Sequence, residues 1–172
     1  LLICVLSTGL VACKAKKLTI ELKDKQIESA ISGTEESAEF EALFEFSGEL
    51  DDKKKAKLEA IEEIVRADMD IDEFTITGDG SNTQVEIVGY IPISSNENLD
   101  TAWYMLVSQY VGKTHTVRFT TGGQYQDLKR KISSVDSSFA PKEYHPTTIK
   151  FKAKSAEITV PAGYVDGKPR VM

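Results

Sequence analysis

The sequence predicts an α+β domain, a largely antiparallel sheet with about three longer helices packed on one face. Three observations lead there. Phe40, Ala42, Phe44 and Phe46 alternate with Glu39, Glu41 and Glu45, the two-residue period of a half-buried strand. Residues 51–68 and 125–135 instead repeat apolar side chains every three or four positions, as an amphipathic helix does. Strand-type and helix-type segments are also interleaved, with no internal repeat and no low-complexity linker between them. A single layered domain accommodates that order.

Along the chain, residues 18–22 read as the first strand, and Asp24 as the N-cap of a short helix carrying Ile27, Ala30 and Ile31. Gly33 stops it. The alternating strand over 38–47 follows, and Asp51 and Asp52 open a long helix to Asp68 with Leu58, Ile61, Val65 and Met69 as its apolar stripe. Residues 74–77 and 84–94 are strands joined by the turn-rich Gly78-Asp79-Gly80-Ser81-Asn82, and Pro92 predicts a sheet edge. Ser94 and Glu97 have capping-box spacing, which predicts a helix burying Leu99, Trp103, Leu106, Val107 and Tyr110 and ending at Gly112. Residues 114–121 form a strand with His115, Val117 and Phe119 on one side. Tyr125, Leu128, Ile132 and Val135 mark another helix. Strands over 148–153 and 157–160 close the domain, and the glycine- and proline-containing stretch 161–172 is expected to be a flexible tail.

With 28% charged and 41% hydrophobic residues, the 172-residue chain is too apolar for disorder and too polar to be mostly buried in a membrane. Its net charge of −6 is unevenly spread. Residues 14–86 hold 10 basic and 20 acidic side chains, and residues 87–172 hold 11 and 7. Glu39, Glu41 and Glu45 on one strand and Lys150, Lys152 and Lys154 on another would neutralise each other if those strands pair. The acidic pI argues against a nucleic-acid partner.

The front of the chain has a different character. Twelve uncharged residues, LLICVLSTGLVA, precede Cys13, then Lys14, Lys16 and Lys17. As a helix they span about 18 Å, too short for a hydrocarbon core of roughly 30 Å but suited to the apolar part of a secretory signal. The basic leader expected ahead of such a run is missing, so the signal is expected to be truncated at its start. Leu10-Val11-Ala12-Cys13 resembles the lipobox of bacterial lipoproteins. The resemblance implies cleavage before Cys13 and a diacylglycerol and acyl group carried there, with residues 1–12 as signal peptide and 13–17 as a lipidated tether. Residues 18–160 are then the α+β domain. It implies a bacterial envelope protein anchored in the lipid bilayer through Cys13, with Lys14 directing it to the outer membrane, facing periplasm or cell surface. Cys4 leaves with the signal and Cys13 is consumed, so no disulfide is expected in the mature domain.

Few residues suggest chemistry. There are two histidines, His115 amid strand threonines and His145 between Tyr144 and Pro146, neither in a zinc spacing or nucleophile elbow. Asp68, Asp70 and Asp72 with Asp79 at the twelfth position have the beginnings of a calcium loop, but Glu73 stands where that loop needs glycine. Phe40, Phe44, Phe46, Trp103, Tyr110 and Phe119 read as core, while Tyr125 and Tyr144 read as exposed. No cofactor is expected beyond the lipid on Cys13. The leading expectation is a non-enzymatic lipoprotein whose domain has a binding or structural role, with an envelope protein as partner. A lipid- or small-ligand-binding module is the alternative: the strand and short helix over 18–31 resemble the opening of some small lipid-binding-like envelope lipoproteins. A hydrolase using His145 with an acidic partner ranks third.

Overall fold

The computed structural model describes residues 15–78, 80–96, 99–111, 114–143, 145–152, 162–165 and 168–171. The lipobox, with Cys4, Cys13 and Lys14, lies outside them, as do Asp79, Glu97, Tyr144, Lys154 and the strand expected at 157–160. The elements run β1 (Ala15–Lys23), α1 (Asp24–Ile31), β2 (Glu36–Ser47), α2 (Asp52–Asp68), β3 (Asp70–Gly78), β4 (Asn82–Ser94), β5 (Tyr104–Val111), β6 (Thr114–Thr121), α3 (Tyr125–Val135), a 3₁₀ turn (Ser137–Phe139) and β7 (Thr147–Lys152). Within the stretch expected as tail, β8 (Ala162–Val165) and β9 (Lys168–Val171) pair as an antiparallel hairpin.

Seven strands form one sheet in the order β6-β5-β4-β2-β1-β7, with β3 also paired to β4. The expectation of a largely antiparallel sheet gives way to a mixed one. The β1–β2, β2–β4, β3–β4 and β5–β6 pairs are antiparallel, whereas β1–β7 and β4–β5 are parallel. The helix expected over 94–112 accounts for one of the two parallel pairs, because residues 104–111 are the strand β5, which joins β4. Met105, Leu106, Val107 and Ser108 are all buried, so β5 is covered on both faces and shows no alternation. A short, continuous apolar run fits a doubly buried strand and a buried helix equally well by periodicity.

β4 carries the sheet's branch point. One edge pairs with β2 along its whole length, from Glu36↔Ile93 to Ser47↔Asn82. The other edge is shared: β3 pairs with residues 83–90, and β5 joins only at Ile93 and Ser94. Pro92 therefore sits in a central strand, not at the edge its ring suggests. It falls between the two partners, where that edge of β4 has no neighbour and the missing N–H removes no ladder bond. Gly89 is needed beside it. A Cβ there would lie 2.3 Å from the Asp70 carbonyl oxygen, where β3 bulges between Ile71 and Glu73.

Ala38, Phe40, Ala42, Phe44 and Phe46 share one face of β2, and all three helices pack on it. Ile27 and Ala30 of α1 pack with Ala38 and Phe40. Leu58, Ile61 and Val65 of α2 and Leu128 and Ile132 of α3 pack with Phe44 and Phe46. The opposite face of β2 is acidic, and β1 answers it. Lys17 Nζ lies 2.7 Å from Glu41 and Lys16 Nζ 2.5 Å from Glu45. The lysines of β7 do not meet β2, because β1 stands between them, and Lys152 pairs instead with Glu21 at 2.6 Å. Lys16 and Lys17 are thus part of a strand, and the expected tether over 13–17 ends where β1 begins at Ala15.

Of the expected helix caps, that of α2 is present and that of α1 is displaced. Asp51 Oδ1 accepts from the Lys54 N–H at 2.7 Å, the N-cap of α2. α1 begins one residue earlier than expected, with Lys23 as N-cap and the Gln26 side chain accepting the Lys23 N–H at 2.8 Å. Lys131 reaches Asp68 at 2.6 Å and Lys57 reaches Asp136 at 2.5 Å, joining α2 to the C-terminal half of α3. The Lys57 ammonium, helped by the Ser138 hydroxyl and N–H, holds the Asp136 carboxyl down at about 2, against an ordinary 3.8. Because the folded value is the lower one, this contribution is present above about pH 4 and lost as pH falls toward 2. Urea unfolding across that window will show the wild type losing about 1 kcal/mol more than Asp136→Asn, after allowance for solvent screening.

Candidate functional site

Between the aromatic face of β2 and the α2–α3 layer lies a partly enclosed cavity of about 110 Å³. Its origin is a mismatch of sizes. Phe44 and Phe46 of β2 stand tall, Ala15 and Ala42 beside them are short, and the helices rest on the phenylalanines. Leu58 and Val65 of α2, Leu128 and Ile132 of α3, Val85 of β4 and Phe139 of the 3₁₀ turn complete much of the wall. Among the described residues no Asp, Glu, Lys or Arg contributes to it. Apolar cavities of roughly this size stay dry and take up small hydrophobic molecules.

One corner of the cavity is polar. The Ala15 N–H donates to His145 Nδ1 at 3.0 Å, and His145 Nε2 lies 3.2 Å from the Tyr104 hydroxyl. Tyr104 in turn donates to the Lys142 carbonyl at 2.8 Å. These contacts assign the tautomer. A backbone N–H only donates, so Nδ1 carries the lone pair. The Tyr104 proton is committed to Lys142, so Nε2 carries the imidazole hydrogen. His145 is therefore held as a neutral ring. Aromatic edges surround it: Phe44 at 6.0 Å and Tyr104 at 5.6 Å between centroids, with Phe119 stacked on Tyr104 at 5.6 Å.

Tyr125 belongs to the same corner, which corrects its expected exposure. It is buried as the first residue of the α3 apolar stripe, edge-on to Tyr104, and its hydroxyl donates to the Pro141 carbonyl at 2.8 Å. Burial, and then the charge of Glu143, pushes the phenol up to about 12. Trp103 forms another part of the wall. Its indole is 2% exposed, and Nε1–H has no hydrogen-bond partner among the described residues. The segment that carries it is clamped to the turn before α3: the Trp103 carbonyl accepts from Gly122 at 2.9 Å and the Ala102 carbonyl from Gln124 at 3.0 Å. Gly122 is required there, since a Cβ would approach the Ala102 oxygen to 2.3 Å.

The other candidates are placed apart from this cavity. Asp70 and Asp72 lie along β3, and Asp68 at the end of α2 is paired with Lys131. The Asp72 charge, together with burial, raises the Tyr90 phenol. Among the described residues no three His, Cys, Asp or Glu side chains come together as a metal site. His115 lies on β6 opposite Tyr110 of β5. A second depression, about 580 Å³, runs along the α1–β2 connection and the end of β4, with Glu35, Glu36, Ser94 and Thr101 in its wall. It is larger and more open, its wall mixes polar groups with Ala30, Ile93 and Leu99, and among the described residues no unpaired buried polar side chain lines it.

His145 at this corner works as a bracket. Its ring nitrogens engage a backbone amide and a phenol, whereas acyl transfer needs a nucleophile on one side and an orienting carboxylate on the other. Sequence reasoning singled out His145 but missed Ala15, Trp103 and Tyr104, whose meeting depends on contacts spanning up to 130 positions. No family model, curated protein or solved structure matches the chain. His145→Phe keeps the ring and removes the Nδ1 acceptor. We expect amide exchange at Ala15 to accelerate at least tenfold and stability to fall by about 1–2 kcal/mol. Unchanged exchange at Ala15 would exclude the bracket.

Proposed function

We propose that this chain is a lipid-anchored protein of the bacterial envelope, in the outer membrane, whose α+β domain binds a small apolar ligand without catalysing a reaction on it. The observation that carries the binding half is the 110 Å³ cavity with its uncharged wall. Charged ligands are disfavoured there, because burying an unpaired charge costs far more than hydrophobic transfer returns. The ligand-binding alternative therefore outranks a purely structural role.

The anchoring half rests on the lipobox-like Leu10-Val11-Ala12-Cys13. Ala15, which follows Cys13 by two positions, is both the start of β1 and part of the cavity wall. An anchor at Cys13 would thus hold the cavity close to the bilayer, where apolar molecules partition. Two acyl chains or more give stable attachment where one does not.

Each half has its own test. Metabolic labelling with palmitate in a bacterial host should mark the wild type and leave Cys13→Ser unlabelled, and equal labelling would remove the anchor. For the cavity, methylenecyclohexane at ten times its Kd should raise Tm by about 3–5 °C. Ala42→Val fills space in the wall and should abolish that rise while folding at least as stably. An unresponsive wild type would reject ligand binding.

A further inference from the structure

The Trp103 indole specifies more than an apolar ligand. Buried N–H donors are nearly always paired, and one left without an acceptor costs about 1–3 kcal/mol. Trp103 is 2% exposed, lines the cavity, and has no acceptor for Nε1–H among the described residues. The other buried members of its core cluster, Leu58 and Val65 of α2, Leu128 and Ile132 of α3 and Phe139 among them, carry only hydrocarbon side chains. A water molecule needs two to four polar partners, and the other polar side chains lining the cavity among the described residues, Tyr104 and His145, are already engaged with each other and with backbone groups.

We propose that the cavity takes an uncharged, mostly hydrocarbon ligand bearing a carbonyl, ester or ether oxygen, and that this oxygen accepts the hydrogen bond from Trp103 Nε1–H. The inference rests on the reading of the cavity as a ligand site and names the chemistry of its ligand. The uncharged wall excludes a carboxylate or phosphate as the acceptor. Tyr104 and His145 do not compete for the oxygen, because each already holds the other and a backbone group at the polar corner.

Cyclohexanone and methylenecyclohexane test this as a pair, since they share a ring and differ in C=O against C=CH₂. Trp103 is the chain's one tryptophan, so a single indole N–H resonance reports the site in the full domain. Cyclohexanone should move that resonance downfield and slow its solvent exchange, and methylenecyclohexane should do neither. In Trp103→Phe the preference for cyclohexanone over methylenecyclohexane should fall by about five- to tenfold, the effect of one neutral hydrogen bond. The hydrocarbon arm absorbs any change in cavity size. Binding of both ligands with the same indole resonance would overturn the oxygen-acceptor inference and leave the cavity reading intact. Binding of neither would overturn both. The resonance test uses the wild type, so it decides the matter even if the variant fails to fold.

Discussion

The two-faced strand β2 is the constraint on which the rest of this molecule depends. It is paired along both edges, to β1 and to β4, and its apolar face is the floor of both large core clusters. A slip of one residue would turn Phe40, Phe44 and Phe46 outward and bury Glu39, Glu41 and Glu45 under the helices. Burying three carboxylates is prohibitive, so the register has one solution. The ion pairs from Lys16 and Lys17 reinforce the same register from the other face, each contributing little alone because they are exposed.

One of the two parallel pairs in the mixed sheet follows from what β4 does beyond β2. Its partner on the far edge changes from β3 to β5 across Pro92, and only two residue pairs join β4 to β5. A parallel neighbour ordinarily arrives through a long helical crossover. Here residues 95–103 suffice, because β5 overlaps only the end of β4 before continuing with β6. Gly89 lets the bulged part of β3 approach, and Gly122 lets the turn before α3 lie against Ala102. The second of these approaches, beside the Gly122 N–H bond to the Trp103 carbonyl, holds the segment that carries Trp103 and Tyr104 of the cavity wall.

What the sequence disclosed depends on the range of the interaction. Elements set by local chemistry were legible: the alternation of β2, the Asp51 cap and stripe of α2, and the Tyr125–Val135 repeat of α3. β5 was not, because a strand buried on both faces loses its period, and the Ser94–Glu97 spacing mimics a helix start. Pro92 suggested an edge because a one-dimensional reading cannot show a gap between two neighbours. Tyr125 looked exposed for a related reason. Its polar tip gave no hint of the Pro141 carbonyl sixteen residues on. The candidate site was the least legible part, since Ala15, Tyr104 and His145 become neighbours only after the sheet is assembled.

The cavity and the indole then bear on each other energetically. At about 24 cal/mol per Å³, a fully enclosed void of 110 Å³ would cost roughly 2–3 kcal/mol, which is an upper bound for this partly enclosed one. The indole donor, without an acceptor among the described residues, adds about 1–3 kcal/mol more. Together these are a sizeable part of the 5–15 kcal/mol that typically holds a domain folded. Either defect alone is removed by a simple substitution, a larger side chain at Ala42 or a phenylalanine at Trp103. Their coincidence on one wall is what a ligand with an apolar body and one acceptor would relieve in a single step, because its hydrocarbon fills the void while its oxygen pairs the donor.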